Sequence, residues 1–229
     1  MHRNDWSVWN GTGGQFAPES VVRLNRNTHS HFIIERNIDI KDKNAFVDGV
    51  LSEAHELSLR IAAVAYTIAD RYGLFSHHFI KSLHKTMESD VNNLHFSKEV
   101  IEAIGKRLEF TEDQIEIFNK SKQASAEVDE KGWSIHSFSH PFLTANMPLM
   151  SKLGKASQGK LFKFRAKIEQ ANEEIELSRF YFKATFDDNM SDSNKSIIKK
   201  NYKNNQVHLF NLLVGALDAI EEVVLDLAG

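Results

Sequence analysis

Eleven histidines are spread over 229 residues, and histidine is the side chain most often used to titrate or to bind metal near neutral pH. His136 and His140 stand four apart, a separation that on a helix would present both imidazoles to one zinc ion. Pro141 and the surrounding serines give that segment the composition of a loop, and no third ligand accompanies the pair. His77, His78 and His84 fall within one helical pattern, with His77 and His84 on a common face. No Glu-x-x-His occurs, which removes the ligand set of a di-iron bundle, and His55-Glu56 lacks the second histidine of a zinc-protease helix. Without cysteine there is no thiol nucleophile and no sulfur-ligated zinc. Gly11-Thr12-Gly13-Gly14 neither follows a strand pattern nor opens a helix, so it does not match a phosphate-cradling loop. The sequence therefore calls for no metal ion and no cofactor.

Charge marks one further place. Lys152, Lys155, Lys160, Lys163, Arg165 and Lys167 occur with no acidic residue between them, in a chain whose 28 basic and 31 acidic residues leave it at −3. Phe162 and Phe164 lie inside the run. Such a segment can grip phosphate, an acidic partner or an anionic surface, and nucleic-acid binding would have to rest on it, because the whole molecule has no pull on phosphate. Its first half reads as loop and its second half as the start of a helix. The cations then share no single face, and lysines at a helix start oppose the macrodipole. The segment is expected to act as a basic connector toward an acidic surface. Trp6 and Trp9, large aromatics in a polar arm, are expected to dock on the body of the protein or on a partner.

Arg71-Tyr72-Gly73-Leu74-Phe75-Ser76-His77 resembles the Arg-x(4–6)-His signature of the HEPN ribonucleases, small helical bundles that dimerise to bring two such pairs together. The resemblance implies that Arg71 would stabilise developing phosphorane charge and His77 would transfer a proton at an RNA 2′-hydroxyl, without metal. Arg26-Asn27-Thr28-His29-Ser30-His31 resembles the variant with asparagine after arginine. His140-Pro141-Phe142-Leu143-Thr144-Ala145-Asn146 is similar to the opening of the Fic motif, in which the histidine deprotonates a target hydroxyl for nucleotide transfer. Here Thr144 stands at the acidic metal position, and Met147 and Pro148 stand where glycine and arginine would grip phosphates. The charge of a triphosphate would have no partner.

These residues need a scaffold, and hydrophobic spacing supplies one. Between Asn44 and Arg71 apolar residues recur every three to four positions, which predicts a helix ending at Tyr72-Gly73. A second helix is expected over Phe75–Ser89, and a third behind Ser97 as N-cap. A fourth should open at Thr111 with the capping-box spacing to Gln114 and run to about Glu130. Gly132 to Gly159, with Pro141, Pro148 and Gly154, reads as mostly loop with one short turn of helix. Lys160–Phe186 and Ser196–Leu227 predict two long helices able to pair antiparallel. Val21–Leu24 and Phe32–Ile34 flank a polar stretch and read as a hairpin or extended arm.

The expectation is an all-α bundle of five to seven helices with a long antiparallel C-terminal pair and a short extended or β-hairpin N-terminal arm. Residues 1–40 form the arm, 41–131 a helical half, 132–159 a connecting loop and 160–229 the C-terminal pair, within one domain overall. The 41% apolar content, with 16 phenylalanines, is enough for a substantial core. The polar N-terminus lacks the apolar run of a signal peptide and no stretch approaches 18 apolar residues, so a cytoplasmic protein with no membrane span is expected. Because no catalytic constellation is complete, the expected function is protein binding, as a regulatory or assembly component, with self-association. The alternative is a metal-independent HEPN-like ribonuclease of a toxin or defence system.

Overall fold

The computed structural model describes residues 18–90, 95–126, 135–187 and 189–228, with side chains from residue 41 onward. Contacts divide the chain into Met1–Asn44 and Ala45–Gly229. The first helix begins before the second unit and runs into it. In chain order the elements are α1 (Pro18–Tyr72), α2 (His77–Glu88), α3 (Lys98–Arg107), α4 (Glu112–Ala126), α5 (Pro141–Ala145), a 3-10 turn (Met147–Lys152), α6 (Lys155–Ala184) and α7 (Asp192–Ala228). The protein is all-helical among the described residues, with no strand and no helix long and apolar enough to cross a membrane.

Two boundaries differ from expectation. The helix ending at Tyr72 starts at Pro18 rather than near Asn44, and residues 1–17 lie outside the description. Proline suits a first helical position, and no glycine or proline follows it until Gly49, so nothing local stops the helix. α6 starts at Lys155, five residues before the expected Lys160, and the connecting segment, expected to hold one short helical turn, holds α5 and the 3-10 turn. Gly159, counted there as a loop residue, lies within α6 with open space where a side chain would project.

From Phe46 onward α1 is buried on two sides. Phe46, Val50, Ala54, Leu57, Ile61, Ala65 and Ile68 bury one stripe, and Leu59, Ala62 and Ala69 bury a second, so packed neighbours cover two sides of it. It ends where Gly73 takes φ +61°, the left-handed conformation that favours glycine. A side chain there would also meet the Asn119 backbone oxygen at 2.2 Å. The capping box at α4 forms in both directions: Thr111 N–H donates to Gln114 Oε1 (2.8 Å) and Gln114 N–H to Thr111 Oγ1 (3.3 Å).

α6 and α7 form the antiparallel pair. α6 buries Leu161, Phe164, Ile168, Ala171, Ile175 and Ser178, alternating three- and four-residue steps, the heptad spacing of knobs-into-holes packing. α7 answers with Tyr202, Gln206, Leu209, Leu213, Ala216, Ile220 and Val223. Cross-pairs hold one register along the hairpin: Lys160 bonds Asp226, Lys163 bonds Glu222, Ser178 bonds Gln206 and the Phe182 ring meets Tyr202.

Candidate functional site

The loop between Arg71, at the end of α1, and His77, at the start of α2, is held by α4. Asn119 pairs with both backbone groups of Phe75, accepting from its N–H (3.0 Å) and donating to its C=O (2.8 Å), while Gln123 donates to Gly73 C=O (3.3 Å). The Arg71 guanidinium lies 5.8 Å from the centre of the Tyr72 ring. Burial pushes the Tyr72 hydroxyl up to about 12, with Arg71 opposing the rise and Tyr202 adding to it. His77 Nε2 faces Glu112 Oε1 at 3.7 Å. Each member of the HEPN-like pair thus has a neighbour of its own.

The His-Pro-Phe stretch is a docking element for α1. Pro141 occupies the first turn of α5, and Glu53 of α1 accepts the N–H groups of Phe142 (2.7 Å) and Leu143 (2.9 Å), capping α5 from another helix. The Phe142 ring stacks on Phe46 (centroids 6.1 Å, 24°) and fills the space over Gly49, where an added Cβ would come within 2.1 Å of it. His140 Nδ1 meets Thr144 Oγ1 at 2.9 Å. The residues resembling the Fic opening therefore place a helix, and His140 bonds the residue that replaces the acidic position.

The basic segment turns inward along the hairpin. Lys160 pairs with Asp226, Lys163 with both Glu222 oxygens (2.7 and 2.9 Å) and Arg165 with Glu169 (2.7 Å). Hydrogen bonds from Lys160 and then Ser157 hold the Asp226 carboxyl below its usual range. Lys167 runs its stem past Gly215 of α7, Lys155 is exposed at the start of α6, and Lys152 is half-buried in the 3-10 turn. The acidic surface sought by three of these cations is supplied by α6 and α7 themselves.

Several histidines sit beside carboxylates: His78 with Asp218 (3.0 Å), His84 with Glu88 (3.5 Å), His95 with Glu56 (3.7 Å) and His208 with Glu174 (3.8 Å). Among the described residues no group of three or more His, Asp or Glu is placed to hold a metal. Trp6, Trp9 and the Arg26–His31 side chains lie outside the described ones.

Two features remain that spacing alone did not single out. A cavity of about 330 Å³ opens between α1, α2 and α7. It is lined by Leu51, His55 and Ser58 on α1, by Ser82, Lys85, Thr86 and Ser89 on α2, and by Leu217, Ile220, Glu221 and Val224 on α7. Each set repeats at three- and four-residue intervals, and small side chains on the α1 and α2 stripes leave the space. The second feature is on the hairpin. Opposite the buried stripe of α6, Phe162, Leu177 and Phe180 face solvent, followed by Phe186 and then Ile197 at the start of α7. Among the described residues, none from Arg179 through Asn201 is buried. Phe180 is 63% and Phe186 67% exposed, beyond the last buried residue of α6. Compared with family models, curated proteins and solved structures, the chain matches none.

Proposed function

We propose that this chain is a non-catalytic helical component that binds a protein partner through the free end of the α6–α7 hairpin. The exposure of Phe180 and Phe186 carries the reading, since large aromatics left in water beyond the last buried layer are the kind of anchor that dominates binding interfaces. Lys183, Lys195, Lys200 and Lys203 share this end, which favours a partner with an apolar hollow and an acidic margin. The turn itself presents Asp187 and Asp192, which an anionic membrane or nucleic acid would repel. A regulatory or assembly role fits this geometry, with self-association as one form of the interaction.

The test places a photo-crosslinking amino acid at position 180 and, as control, at exposed position 81 of α2. Position 180 should yield a discrete adduct that position 81 does not, and Phe186→Asp should suppress it. Once the partner is purified, Phe180→Asp should weaken binding by about thirtyfold, the loss of a ~2 kcal/mol anchor, with unchanged far-ultraviolet circular dichroism. Identical adducts from both positions, or affinity insensitive to Phe180→Asp, would refute the assignment.

A further inference from the structure

The cavity between α1, α2 and α7 has a chemistry of its own, independent of the hairpin end. Its volume of about 330 Å³ falls at the small end of the range for small-molecule sites. Leu51, Leu217, Ile220 and Val224 form apolar walls, with Leu217 and Ile220 buried at the base. Three of the four hydroxyls that line it are committed in one sense. Ser58 Oγ donates to His55 C=O (2.7 Å), Thr86 Oγ1 to Ser82 C=O (3.0 Å) and Ser89 Oγ to Thr86 C=O (2.6 Å). A hydroxyl has one proton, so each of these three can offer a ligand only lone pairs. Lys85 Nζ and Glu221 Oε1 close on one another at 2.5 Å, so the two charges at the cavity answer each other. Both side chains are largely exposed, so this pair adds little to the site, and the apolar walls with the acceptor hydroxyls select the ligand.

We propose that this cavity binds a small uncharged molecule with an apolar ring body and a hydrogen-bond donor, of the indole or phenol type. The body packs on the leucine, isoleucine and valine walls, and the donor reaches the hydroxyls of α1 and α2. Ring systems without a donor gain only the apolar contact.

Isothermal titration calorimetry on the full chain tests this with indole and with benzothiophene, which keeps the shape and lacks the N–H. Indole should bind saturably with one site, about tenfold or more tighter than benzothiophene, the discrimination that one satisfied hydrogen bond supplies. Thr86→Val combined with Ser58→Ala should reduce that ratio to about threefold or less while retaining affinity for benzothiophene. Val224→Phe should fill the space and abolish binding of both, with the thermal midpoint showing that the variant is folded. The proposal is overturned by any of three results: no saturable heat with indole, equal affinity for the two probes, or indole binding that survives in folded Val224→Phe.

Discussion

Asn119 and Asn172 solve the same problem at two corners of the molecule. Each lies on a helix and pairs with both the N–H and the C=O of a phenylalanine in a non-helical segment: Asn119 with Phe75, and Asn172 with Phe138 at 2.7 and 2.8 Å. A carboxamide is one of the few side chains that both donates and accepts in this way, so the phenylalanine ring can enter the core while its backbone stays satisfied. Phe75 and Phe138 are both buried. Asn172→Ala should therefore cost about 2–3 kcal/mol, two hydrogen bonds plus the stranded Phe138 backbone groups, measured by urea unfolding. Asn172→Asp, which keeps only the acceptor, should fall between Ala and wild type. A loss under about 0.5 kcal/mol for Asn172→Ala would mean that water replaces the clamp.

At the scale of elements, the hairpin shows what sequence spacing can and cannot reveal. The heptad steps of α6 and α7 were legible because one face repeats locally, and so was the Thr111–Gln114 box, whose partners are three residues apart. Glu53 capping α5, and the two asparagine clamps, join residues tens of positions apart through single side chains, and no period announces them. The basic run was legible as charge but not as destination, because its acids lie sixty residues on in α7 and one turn on in α6. Exposed ion pairs of this kind add little stability each, and their regular order serves to hold register. The buried Gln206–Ser178 bond, at 2.5 Å, serves the same end, while Gln206 Oε1 and Asn205 Oδ1 are left buried without partners. Polar groups in a helix interface trade stability for register in this manner. The Lys160–Asp226 pair has a pH signature. The folded carboxyl titrates below its ordinary range, so its contribution is complete above about pH 4 and is lost as pH falls through the folded value. Lys160→Met should lose less stability than wild type between neutral pH and about pH 2 in urea titrations. Equal losses would show that the pair is solvent-separated.

Across the whole molecule, burial is graded. The two faces of α1 are enclosed, α6 and α7 are buried along their paired length, and beyond Ser178 and before Tyr202 no described residue is buried. Amide exchange should follow that gradient. Protection free energies over residues 179–201 are expected at least about 2 kcal/mol below those of α1 residues 54–68. Uniform protection along the hairpin would contradict it. A low-stability end bearing exposed aromatics is suited to adjusting to a partner, whereas the enclosed half holds a fixed shape. Within that fixed half, the cleft between α1, α2 and α7 exists only while the three helices are packed together. A molecule that binds there binds the folded chain alone, so its concentration sets how far the folding equilibrium is pulled toward the native state.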